Sequence, residues 1–177
     1  SLEADTAVCR VSIAGRTIQV DTLLVRSNVG VVAGGGSLAI LDTTGESVSA
    51  FSATAILRSL KPLEHLFDLP STEVDSMKLT CTAAGTAQNT LIAANVAVRS
   101  AVFGSYSVSS LDAGATGSFH SGFFTWADLE TTREAAAWTA GVTVQDAQVE
   151  DLEVTSWEAT LTSDGNRHEI RSSATIA

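Results

Sequence analysis

The sequence predicts an all-β fold: an antiparallel β-sandwich of about eight or nine strands with two short helices, in a single domain covering residues 1–177. Three observations carry this. Thr, Val, Ile and Ser are abundant and fall in short runs, several of which alternate apolar with polar residues. Gly or Asp-Gly punctuates the runs. The runs do not alternate with long helical patterns, which argues against a doubly wound α/β fold and for a sheet with one wet face.

The elements follow in order. "TAVCRVSIA" (6–14) sets Ala7, Cys9, Val11 and Ile13 on one face and Val8, Arg10 and Ser12 on the other. Gly15 turns the chain into "TIQVDTLLVR" (17–26). "GVVAGGGSLAILD" (30–42) holds Gly34 to Gly36, read as a flexible or bulged turn because Gly tolerates positive φ. A phosphate loop would need GK[ST] between strand and helix, and neither is there. In 52–68 the spacing of Ile56, Leu57, Leu60, Leu63 and Phe67 predicts a helix capped by Ser52 and broken near Pro62. "MKLTCTAAG" and "TLIAANVAV" form a hairpin (77–98) built almost entirely of slight side chains. A strand over 100–111, a loop "DAGATG" (112–117) and an aromatic strand over 118–126 come next. Thr125 and Asp128 then stand in a capping-box arrangement for a second helix over 127–138. Strands at 142–149, 152–161 and 167–176 finish the chain.

The last two strands carry the sharpest expectation. Asp164-Gly165 as a type I′ turn would make paired residue numbers sum to 329. Leu161 then faces His168, Ala159 faces Ile170 and Trp157 faces Ser172 on a buried face, while Glu158 faces Arg171 on the exposed one.

With 45% apolar residues the chain can form a core, and its formal net charge of −10 argues against a grip on nucleic acid. No run of 18 apolar residues is present, so no membrane helix and no membrane partner is expected. The opening "SLEADTAV" reads as a processed or trimmed end rather than a signal peptide. Cys9 and Cys81 are expected to be buried free thiols, although a disulfide between them stays open at this point.

Chemical signatures are missing. His65, His120 and His168 each stand alone in their segments. His120 lies among serines in "SFHSG", but no GxSxG elbow accompanies it. Glu150, Asp151 and Glu153, and likewise Asp42 and Glu46, read as solvated loop acids without calcium-loop spacing. Trp126, Trp138 and Trp157 with Phe119, Phe123 and Phe124 read as core or subunit contacts more readily than as a sugar platform. The sequence thus predicts no catalytic residue, no cofactor, no metal site and no enzyme activity.

Residues 50–98 run helix, "LFDLPSTEV" bridge, strand "MKLTCTAAG", polar loop "TAQN", strand "TLIAANVAV". This order resembles the jelly-roll coat proteins of picorna-like icosahedral viruses. The likeness covers about 50 residues in pattern, and the aromatic-proline pair common in that hairpin loop is replaced by "AAGTAQN". The resemblance implies a jelly roll, a virion location, and a structural role without catalysis: a capsid subunit that assembles with itself or with sister coat proteins. "GRTIQVDTLLV" with "GGGSLAILDTTG" is similar to the early strands of phage tail-tube proteins, which gives a second expectation. An extracellular β-sandwich binding module is the third. Small side chains suit sheets that pack closely in repeated assemblies, and exposed edge strands would be covered by neighbours.

Overall fold

In the computed structural model, the structure describes residues 3–15, 17–39, 47–59, 61, 72–86, 89–119, 137–164 and 167–177. The described residues form ten antiparallel strands: β1 (Ala4–Ala14), β2 (Thr17–Ser27), β3 (Gly30–Leu38), β4 (Val48–Leu57), β5 (Thr72–Thr86), β6 (Asn89–Phe103), β7 (Tyr106–Phe119), β8 (Ala137–Val149), β9 (Leu152–Asp164) and β10 (Arg167–Ile176). All belong to one sheet in the order β1 to β10, each strand paired only with its neighbours in sequence. The all-β, antiparallel expectation holds. The architecture differs from a jelly roll, whose Greek-key connections bring together strands distant in sequence, because this sheet is a single meander.

Several local expectations give way to longer strands. Residues 52–57, expected as the start of a helix, lie in β4. The segment "VSAFSATAIL" also alternates, and its residues are held by unbroken ladders to β3 and β5 on either side. Pairing with two neighbours overrides a spacing that fits both periods. The rest of that helix, apart from residues 58, 59 and 61, lies outside the described residues. The second helix falls on undescribed residues except Ala137 and Trp138, which open β8. "DAGATG" is no loop: 112–117 run through the middle of β7, paired on both sides.

Gly34 to Gly36 are likewise inside a strand rather than in a turn. A Cβ on Gly34 would stand 2.7 Å from the Ser52 carbonyl oxygen, and one on Gly36, where φ is +127°, would overlap the Ala50 carbonyl oxygen. Opposite them the β2–β3 ladder shifts register between Val20 and Leu23. The glycines let β3 pass close to β4 beside this bulge.

The single sheet leaves little interior. The buried apolar residues among those described are Val29, Ala39, Ala83, Val98, Ala101 and Ala147. Order therefore rests on backbone ladders and local polar anchors. One anchor is Ser49, which is 1% exposed and whose Oγ accepts a 2.9 Å hydrogen bond from the buried Ala39 N–H. Another is the buried Thr90, whose hydroxyl donates to the Thr86 carbonyl at 2.7 Å beside the β5–β6 turn.

The terminal hairpin forms between the expected strands, but Asp164 pairs with Arg167, so paired numbers sum to 331. Asp164 is thus a paired strand residue rather than the first residue of a turn, and Gly165 and Asn166 lie outside the described residues. Leu161 faces Ile170, Ala159 faces Ser172, and Trp157 faces Ala174. A shift of two residues keeps every side chain on its expected face, so Trp157, Leu161 and Ile170 still share one. That face is not buried at this end: Ile170 is 73% exposed and Trp157 37%. Glu158 lies opposite Ser173, and Arg171 bonds Glu169 of its own strand at 2.7 Å.

Candidate functional site

The register brings together what the sequence scatters. Because paired residues share a face, the pairings can be followed across the sheet. One row runs Cys9, Leu23, Gly34, Ala53, Cys81, Ala94, Ala115, Ala140, Leu161, Ile170. The row on one side runs Ala7, Val25, Val32, Ala55, Leu79, Val96, Ala113, Val142, Ala159, Ser172. On the other side it runs Val11, Val20, Gly36, Phe51, Ala83, Ile92, Gly117, Trp138, Ser163, His168. A fourth, through Leu57, Met77, Val98, Leu111, Val144 and Trp157, extends the same face.

None of these rows contains Asp, Glu, Lys or Arg. The polar members of the three full rows are Ser163, His168 and Ser172, all at the β9–β10 end. At a strand pitch of about 3.4 Å per residue and about 4.8 Å between strands, three rows across ten strands cover roughly 1,000 Å². Among the described residues, no second layer stands over this face.

The face has relief. From Gly34 to Ala140 the central row holds nothing larger than Cys, over six strands or about 24 Å. Phe51, Ile92 and Trp138 stand on one side of it and Leu79, Val96 and Val142 on the other. Toward β10 the row opens into a hollow of about 210 Å³ lined by Ala140, Val142, Ala159, Leu161 and Ile170. Trp157, at its margin, donates from Nε1 to Ser172 Oγ at 2.9 Å. Beyond the fourth row the ladder skips Asp75, Ser100, Ser109 and Asp146, and Ser100 and Asp146 take φ of 49°. The apolar band therefore ends at a polar rim.

The opposite face is the wet one. It carries Arg10, Lys78, Arg99, Asp112, Glu158, Glu169 and Arg171 among threonines such as Thr116, Thr139 and Thr162, which stand side by side. Arg99 forks onto Asp112 with contacts of 2.8 and 3.1 Å. The hydrogen bond and then the charge of Asp112 raise the Arg99 pKa, so the guanidinium stays charged. A shallow polar depression over Gly114 and Gly141 is edged by Asn95, Asp112, Thr143 and Glu158.

The residues weighed for chemistry are not drawn together. His168 is exposed at the β10 edge, opposite Ser163, while the neighbouring Asp164 faces the other side of the sheet. His65 and His120 lie outside the described residues, as do Asp42, Glu46, Trp126, Phe123 and Phe124. Glu150, Asp151 and Glu153 are exposed at the β8–β9 turn. Among the described residues no three His, Cys, Asp or Glu side chains are grouped to hold a metal ion. Cys9 and Cys81 are free and exposed, not buried. They share a row but stand four strands apart, about 19 Å, beyond the roughly 7 Å that a disulfide spans. No helix among the described residues is long and apolar enough to cross a membrane.

No family model, curated protein or solved structure matches this chain.

Proposed function

We propose that the protein is a non-catalytic carrier of hydrocarbon chains, which lie on its apolar face along the row of small residues. The observation that carries this reading is the charge-free face, which spans about 1,000 Å² of sheet and is apolar from β1 to β8. A protein partner of that footprint would bring about five to ten hydrogen bonds, at one per 100–200 Å². The face offers Ser163, His168 and Ser172, and the first is already buried and the last already bonded to Trp157. A hydrocarbon chain needs no such partners. Ten strands at a twist of roughly 20–25° each also turn the face through about 180–225°, a path that a flexible chain follows and a flat partner does not. The small-residue row, about 24 Å long, exceeds the roughly 15 Å of one leaflet of a bilayer's hydrocarbon core, so a full acyl chain fits along it.

Titration with fluorescent fatty acids of increasing chain length tests the reading. Affinity rises with each methylene toward the limit of about 0.8 kcal/mol per buried CH₂. Affinity that follows the carboxylate and ignores chain length would contradict it.

A second reading is favoured by the edges. β1 and β10 are exposed along their whole lengths and contain no proline. A structural subunit that assembles with copies of itself or with sister proteins, as in a virion shell or tail, would cover them. Two such sheets packed face to face would also make the sandwich expected from the sequence. Purified chain that forms regular shells or tubes by electron microscopy, and binds no fatty acid, would favour this reading over the first.

A further inference from the structure

We propose that copies of this chain join head to tail, with β10 of one copy beside β1 of the next, in the register that sets Cys9 opposite Ile170. The inference does not depend on what the apolar face binds.

Both edges are ready for pairing. β1 and β10 are exposed throughout, and no lysine or proline guards either of them. With ten strands in an antiparallel meander, β1 and β10 point in opposite directions, so β10 meets the next copy's β1 antiparallel. The apolar faces then continue on the same side. The row from Cys9 to Ile170 crosses the sheet in nine successive pairings. In antiparallel ladders a residue that exchanges hydrogen bonds with one neighbour does not exchange them with the other, so pair types alternate along a row. Over nine pairings the first and last are of one type. The unused backbone groups of Cys9 and Ile170 are therefore of matching type.

Side chains select the same register. Continuing the row makes joined numbers sum to 179, which places Arg10 opposite Glu169 on the polar face and Val11 opposite His168 on the apolar one. Arg10 has no ion-pair partner among the described residues, whereas Glu169 already holds Arg171. Pairing β10 with β10 can set Glu169 opposite the other copy's Arg171, but it leaves Arg10 without a partner and β1 uncovered. Head-to-tail joining pairs Arg10 and covers both edges. It is a heterologous contact, so it propagates rather than closing at two copies.

Two full-length chains with one thiol each provide the test. The first keeps Cys9 and carries Cys81→Ser. The second carries Cys9→Ser, Cys81→Ser and Ile170→Cys. Directly opposed residues lie about 4.5–5.5 Å apart at Cα, within disulfide range. Mild oxidation of the mixture is expected to give the mixed disulfide as the main dimer. A Ser173→Cys variant in place of Ile170→Cys, with its thiol on the other face, gives little. Arg10→Glu in the first chain lowers the yield roughly twofold to fivefold, and Glu169→Arg in the second restores it. A predominance of either chain's dimer with itself would overturn the proposal in favour of like-edge pairing. A mixed yield no greater than that of the Ser173→Cys control, in chains whose circular dichroism matches the parent, would overturn it outright.

Discussion

Cys9 and Ile170 stand in one row of the apolar face at opposite edges of the sheet, and every step between them is a direct cross-strand pairing. That row has no net slippage, so small residues from β3 to β8 align into one furrow instead of being scattered over the face.

A charge placed in the furrow should abolish ligand binding while leaving the fold standing. Ala115 is exposed on the apolar face between Ala94 and Ala140. An Ala115→Asp chain is expected to lose fatty-acid affinity by at least about tenfold, since an ionised carboxylate against hydrocarbon is strongly unfavourable. Thr116→Asp, one residue along and on the wet face, is expected to bind as the parent does. Fluorescence titration of the two variants provides the check.

Trp138 and Trp157 both lie in the rows of this face. Saturating long-chain fatty acid is expected to shift tryptophan emission to shorter wavelength as water leaves the indoles. In Trp157→Phe the shift shrinks, and in a Trp138→Phe, Trp157→Phe double variant most of it disappears.

Ser49 is the largest fully buried side chain among the described residues, and it satisfies the Ala39 N–H. Ser49→Ala leaves that donor buried without a partner, at a cost of about 1–3 kcal/mol. Urea denaturation is expected to show the midpoint falling with little change in slope. An unchanged midpoint would mean that water reaches Ala39.

Gly36→Ala is expected to destabilise the sheet by about 1–3 kcal/mol, because Gly36 holds a φ of +127° and its new methyl would meet the Ala50 carbonyl. Gly15, also at positive φ but with open space around it, is expected to tolerate Asn far better. Paired denaturation curves separate the two.

The sequence discloses the class of the fold and the faces of its strands. Ala7, Cys9, Val11 and Ile13 fall on one side of β1 as their alternation says, and Trp157, Leu161 and Ile170 share a face despite a shift of two in the hairpin register. Pairing context stayed hidden. Phe51, Ala53, Ala55 and Leu57 fit a strand as well as Ile56, Leu57 and Leu60 fit a helix, and only the ladders from β3 and β5 decide between them. "DAGATG" has the composition of a turn, yet Gly114 and Gly117 sit in a stretch of β7 that is paired on both sides. The furrow could not be seen in one dimension at all. Gly34, Ala53, Cys81, Ala94, Ala115 and Ala140 come from six strands, and nothing marks them as neighbours until the register is known. The slight side chains of the 77–98 hairpin were the one local trace of it.

Photo-labelling with a long-chain fatty acid that carries a diazirine midway along its chain tests the central claim most directly. After irradiation and digestion, adducts mapped by mass spectrometry are expected on the apolar rows, at residues such as Ala53, Ala94, Ala115 and Ala140, and to be competed away by unlabelled fatty acid. Adducts spread equally over Thr82, Thr116 and Thr139 on the opposite face, or labelling that excess fatty acid does not reduce, would contradict the claim that this face holds hydrocarbon.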